Sequence, residues 1–125
     1  MHSDANTQQD NAERINADLI RQCYQCWESG DRATLDGLLA DDFTFTSPND
    51  DHISKAEYWE VCWVHQPEVN PMDIEVLLVN DHEGFARYSS KGSDGRRFRN
   101  TEYFQFENGQ IKAVEVYFGH IITGK

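Results

Sequence analysis

Phe98-Arg-Asn-Thr-Glu-Tyr-Phe-Gln-Phe-Glu107, followed by Asn108-Gly109 and then by Gln110 to Gly119, is the stretch on which the reading of the chain turns. Strand side chains alternate between two faces, so Phe98, Asn100, Glu102, Phe104 and Phe106 share one side. Arg99, Thr101, Tyr103, Gln105 and Glu107 share the other. Glu102 therefore stands in a row of phenylalanines. If that face is buried, the carboxylate is poorly solvated, its neutral form is favoured, and a proton is available near neutral pH. The alternative is a structural glutamate, paired with an arginine or capped by a hydroxyl.

Asn108-Gly109 and Asp94-Gly95 are hairpin signals, because the central residues of tight turns must accept positive φ. They join three successive antiparallel strands: Phe85 to Lys91, the stretch quoted, and Gln110 onward. A fourth, Ile74 to Val79, precedes them across the polar turn Asn80 to Gly84.

Helices come first. Residues 1–10 are polar and read as a flexible tail. From about Asn11, Ile15, Leu19, Cys23 and Trp27 recur every fourth residue, flanked by Ile20 and Tyr24, as in an amphipathic helix that stops at Gly30. Asp31 caps a second, shorter helix carrying Leu35, Leu38 and Leu39. Phe43-Thr-Phe-Thr46 alternates as a short strand and closes in the turn Ser47-Pro48-Asn49-Asp50. Ser54-Lys-Ala-Glu57 is a capping-box pattern that opens a third helix through about His65, and Pro67 and Pro71 bracket a non-helical connection. The order helix, helix, strand, helix, then four strands predicts an α+β fold, with helices against one face of a curved antiparallel sheet.

The chain is 125 residues long, the size of one domain. Its 22 acids against 11 bases give a formal charge of −11, which repels phosphate backbones and anionic membranes, so neither nucleic acid nor membrane is an expected partner. No run approaches the roughly eighteen apolar residues of a membrane span, and the polar N-terminus lacks a signal peptide's apolar core, so a cytoplasmic location is expected. Cys23, Cys26 and Cys62 are too few for a disulfide framework. Cys23 and Cys26 have Cys-x-x-Cys spacing but sit inside a helical pattern without a second pair, so they read as small apolar residues. No metal-ligand spacing or phosphate loop is present, and no metal or cofactor is expected.

Three local patterns resemble the nuclear transport factor 2-like superfamily, the cone-shaped α+β fold shared by ketosteroid isomerase and the SnoaL-like polyketide cyclases. They are Trp27-Glu-Ser-Gly-Asp31 with Leu38-Leu-Ala-Asp-Asp-Phe43, Ser47-Pro48 after the first strand, and Glu102-Tyr-Phe-Gln-Phe106 with Asn108-Gly109-Gln110-Ile111 and Glu115-Val-Tyr-Phe-Gly119. The likeness implies a single SnoaL-like domain over residues 11–122, a tail at 123–125, three helices enclosing a pocket, and a homodimer through the outer sheet face involving Tyr103, Gln105 and the last strand. Compared with ketosteroid isomerase, Cys23 falls where the oxyanion-hole tyrosine lies and Ser47 where the catalytic aspartate lies. Glu102 falls where that enzyme keeps an aspartate protonated. One of three functional positions thus keeps its chemistry, which disfavours steroid isomerisation itself and supports a cavity with one ionisable group. The SnoaL-like cyclases rely on a single acid/base carboxylate, the role the resemblance gives to Glu102.

The expected pocket walls are Cys23 and Trp27 from the first helix, Phe45 from the first strand and Ser47 from the turn after it, and Tyr58, Trp59 and Cys62 from the third helix. Arg87, Asn100, Phe104, Tyr117 and Phe118 are expected to join them from the sheet. Arg87 is the best basic residue to hold Glu102 ionised, if the strands place the two opposite each other. His52 and His65 read as solvent-facing or helix-end residues, and Asp41, Asp42, Asp50 and Asp51 as surface acids. Which stripe of the third helix faces inward stays open. The expected ligand is a small apolar molecule, for acid/base isomerisation, cyclisation or dehydration through Glu102, or else for a non-catalytic binding or dimerisation module.

Overall fold

The computed structural model describes residues 4–122, so the C-terminal tail and the first three residues lie outside the described residues. Helix α1 spans Asp4–Ser29, beginning well before the expected Asn11. Its first turns are polar and carry no apolar stripe, yet they contain no glycine or proline, so nothing stops the helix there. Its end is as read: Gly30 adopts φ +75° and its N–H closes on the Cys26 carbonyl at 2.8 Å.

Helix α2, Arg32–Leu38, is capped by the Asp31 carboxylate, which accepts from the Thr34 N–H at 3.1 Å. Strand β1, Leu39–Ser47, turns back into β2, Asp50–Ser54, a short edge strand of polar residues that the sequence pattern missed. The capping box of Ser54 and Glu57 then opens α3, Lys55–Val61. A 3-10 turn, Trp63–Glu68, follows and contains Pro67, so helical structure runs past the expected stop in this tighter form. Strands β3 (Met72–Val79), β4 (Glu83–Lys91), β5 (Arg97–Glu107) and β6 (Gln110–Ile122) complete the chain.

The six strands form one curved sheet in the order β2-β1-β6-β5-β4-β3. It is not wholly antiparallel: β1 runs parallel to β6. These two strands are far apart in sequence, so no hairpin dictates their direction. From β3 to β6 the strands are consecutive antiparallel hairpins.

Register decides the site. The β4–β5 pairing places Ala86 opposite Glu102 and Tyr88 opposite Asn100, and the β5–β6 pairing adds Val116 beside Glu102 and Val114 beside Phe104. This face meets Leu19, Ile20, Cys23 and Tyr24 of α1 in one core. Phe104 is fully buried there, worth about 1.5–3 kcal/mol relative to exposure. Ile15, expected on the core stripe, is instead 52% exposed, because the buried stripe runs through Asn16, Leu19, Ile20, Cys23 and Tyr24 and leaves Ile15 beside it. A register shift lies opposite Gly119, where an added Cβ would overlap the Arg99 carbonyl oxygen. Only glycine fits that approach.

Candidate functional site

Between α1, α3 and the inner sheet face lies a cavity of about 450 Å³, within the range of small-molecule sites. The alternation of β5 delivers Phe98, Asn100, Glu102 and Phe104 to its wall. Glu102 is buried, 9% exposed. Loss of water raises its pKa to about 7, against a smaller lowering from the hydroxyl of Tyr24. That hydroxyl donates to Glu102 Oε1 at 2.5 Å. Glu102 has no other hydrogen bond among the described residues, and its second oxygen is not sealed from the cavity.

Two further tyrosines stand around it. Tyr88 accepts from Asn100 Nδ2 at 3.2 Å, and Asn100 is held in turn by the Gly119 N–H, which donates to Asn100 Oδ1 at 3.1 Å. The Tyr24 and Tyr88 rings pack at 5.1 Å. Tyr58 accepts from the indole N–H of Trp27 at 2.9 Å. Burial pushes the hydroxyls of Tyr24, Tyr58 and Tyr88 above their usual range, with the Glu102 charge adding to the effect, so all three remain protonated donors.

Of the residues expected at the wall, Cys23, Trp27, Phe45, Ser47, Tyr58, Cys62, Asn100, Phe104 and Phe118 line the cavity with Glu102. Three do not. Arg87 pairs with Thr101 rather than Glu102, so it emerges on the outer face, where it donates to Glu75 at 3.2 Å. Among the described residues no arginine forms an ion pair with Glu102. Tyr117 alternates outward from Val116, is 54% exposed, and donates to Glu115 at 2.8 Å. Trp59 turns from the cavity toward Trp63 and lies under the Arg32 guanidinium, 4.6 Å from its ring centroid. The inward stripe of α3 is thus Tyr58, Val61 and Cys62, continued by His65.

Sequence reasoning left Tyr24 as one of several aromatic residues that could line the cavity, and it missed other parts of the site. The hydroxyl that meets Glu102 belongs to Tyr24, one residue after Cys23, while the Cys23 thiol is pushed up by burial and stays neutral. Tyr88 was not singled out at all. Asp50, read as a surface acid, lines the cavity mouth and accepts from Ser47 Oγ at 2.9 Å. The pairing of Ser47 with Asp50 across the β1–β2 turn brings the two together. His65 also reaches the mouth, with Nδ1 3.3 Å from Glu68, whereas His52 is exposed against Asp51.

The family model of the SnoaL-like domain matches residues 20–114, a span that contains Tyr24, Tyr88 and Glu102. The chain belongs to the SnoaL-like domain family. No curated protein matches the sequence. Solved structures with a similar fold include a proposed polyketide cyclase from Xanthomonas campestris pv. campestris, with TM-score 0.74 and 17% identity over 86% of this chain and 93% of that one. A proposed ketosteroid isomerase from Kribbella flavida has TM-score 0.74 and 15% identity over 94% of this chain and 86% of that one. An epoxide hydrolase from M. tuberculosis has TM-score 0.70 and 16% identity over 89% of this chain and 84% of that one. At these identities the likeness concerns the fold alone, and it spans different chemistries. Among the described residues of this SnoaL-like domain, no helix is long and apolar enough to cross a membrane.

Proposed function

We propose that this SnoaL-like protein binds a small, largely apolar carbonyl or hydroxyl compound in its cavity and moves a proton on it through Glu102, as in an isomerisation, cyclisation or dehydration. The observation that carries the reading is the buried Glu102, with one oxygen bound by Tyr24 and the other open to an apolar, aromatic-walled cavity. A carboxyl group with a pKa of about 7 is present in both protonation states at neutral pH, which suits it to give and take a proton. Tyr24 steadies the ionised form, and Tyr88 is placed to donate to a ligand oxygen.

The test is α-proton exchange into cyclic ketones and enones in deuterated water, followed by proton NMR. Wild-type protein should accelerate exchange, and Glu102→Gln should lose about 10²–10⁴ of that acceleration while still binding the ketone. Ketones that bind without exchanging would favour a non-catalytic binding module; absence of binding would sink both readings.

We further propose that the protein is a homodimer through the outer face of its sheet. The support is an apolar row across neighbouring strands, in which Leu78 pairs with Phe85 and Phe85 with Tyr103. Leu78 is 66% exposed in the single chain.

A further inference from the structure

The charges around the cavity are one-sided. Among the described residues its wall carries two carboxylates, Glu102 in the interior and Asp50 at the mouth, and no lysine or arginine. Among the described residues Asp50 has no cationic partner; its one side-chain bond comes from the neutral hydroxyl of Ser47. The Cys62 thiol, on the same wall, is pushed up to about 12 chiefly by burial, with Asp50 adding to the effect. His65, the only basic side chain among the described residues of the wall, lies beside Glu68. Aromatic faces surround the mouth: the Phe45 and Tyr58 rings pack at 5.2 Å, and Phe118 lines the cavity while 58% exposed.

An anionic ligand would meet two carboxylates in a chain of net charge −11, with no lysine or arginine among the described residues of the wall to offset its desolvation. A cation gains from the same features: it approaches the Asp50 carboxylate and lies against aromatic faces, whose quadrupoles attract it. The two carboxylates differ in what they can accept. At Glu102 an ammonium would form a buried ion pair, whose desolvation cost offsets much of its attraction. Asp50 is only half-buried, so an ammonium beside it keeps part of its water.

We propose that the substrates of this cavity are bipolar: an apolar skeleton with a carbonyl or hydroxyl at one end, seated at Glu102 and Tyr24, and a cationic ammonium group at the other, seated at Asp50. This rests on the cavity reading given above and narrows its substrate class.

The test uses three ligands that share one cyclic ketone and differ in the tail: trimethylammonium, its neutral tert-butyl isostere, and carboxylate. Binding is followed by calorimetry at pH 7.5. The trimethylammonium compound should bind about tenfold tighter than its isostere, the value of roughly one partly desolvated charge contact, and the carboxylate should bind weakest. Asp50→Asn keeps an acceptor for Ser47, so it should leave the neutral compound's affinity within about twofold and erase the cation's advantage. Asp50→Lys should reverse the order of cation and anion. Equal binding of cation and isostere, or a cationic preference that survives Asp50→Asn, would overturn the proposal while leaving the cavity reading intact. If none of the three binds, the cavity reading itself falls and takes this proposal with it.

Discussion

Tyr24 on α1 and Glu102 on β5 are 78 positions apart in sequence, and the Tyr24 hydroxyl donates to the Glu102 carboxylate at 2.5 Å inside the core. The bond favours the ionised acid, while burial favours the neutral one and outweighs it. Tyr24→Phe removes the only opposing influence. The Glu102 pKa should therefore rise further, by about one to two units, the worth of a hydrogen bond to a charged group. Carboxyl-carbon NMR on the variant measures this directly; an unchanged or lower value would show that the bond does not tune the acid.

Glu102 also ties stability to pH. Its folded pKa of about 7 lies above the ordinary 4.5, so between these values the folded chain holds a proton that the unfolded chain has released. Stability therefore falls as pH rises through that window and levels off above it. Glu102→Gln cannot ionise and escapes the loss. The variant should be more stable than wild type at pH 8, by up to about 3 kcal/mol, and by much less at pH 5. Urea denaturation at the two pH values would reveal the trend, and an equal offset at both would contradict it.

Gly119 couples the backbone to the site, since its N–H holds Asn100 and its missing Cβ admits the Arg99 carbonyl. Gly119→Ala should force β5 and β6 apart at the register shift and cost about 1–3 kcal/mol. Thermal or chemical denaturation measures the loss. Gly109→Ala offers a contrast: its strain comes from φ +75° alone, with nothing close to its added Cβ. A neutral Gly119→Ala would mean that the strands adjust freely there.

If the proposed outer-face dimer forms, Leu78→Asp, at an exposed position, should convert the protein to a monomer without unfolding it. Sedimentation velocity and circular dichroism together test this. A wild-type protein that sediments as a monomer would remove the dimer outright.

Much of the fold could be read from the sequence because its turns are chemically explicit. Asp94-Gly95 and Asn108-Gly109 mark the hairpins, and Gly95, Asn108 and Gly109 all adopt positive φ. Strand β2 was hidden because Asp50-Asp-His-Ile-Ser54 lacks the apolar alternation of a half-buried strand, and its edge position does not require it. The inward face of β5 followed from alternation, but its neighbours depended on register. Residues 92–96 separate the paired ends Lys91 and Arg97, so even positions meet even positions and Arg87 passes to the outside. Without that loop length, Arg87 and Ala86 were equal candidates for the place opposite Glu102. Tyr24 was visible on the flank of the helical stripe, but only the packing of α1 across the sheet shows that its hydroxyl reaches Glu102. Asp50 was obscured because a turn aspartate ordinarily faces water.

Burial makes Glu102 a desolvated acid poised near neutrality. Carboxyl-carbon NMR titration of the purified protein, with Glu102→Gln to assign the resonance, tests it most directly. A midpoint near 7 is expected. A midpoint at or below the ordinary 4.5 would mean that Glu102 is solvated or paired with a base, and the proton-transfer account would fail.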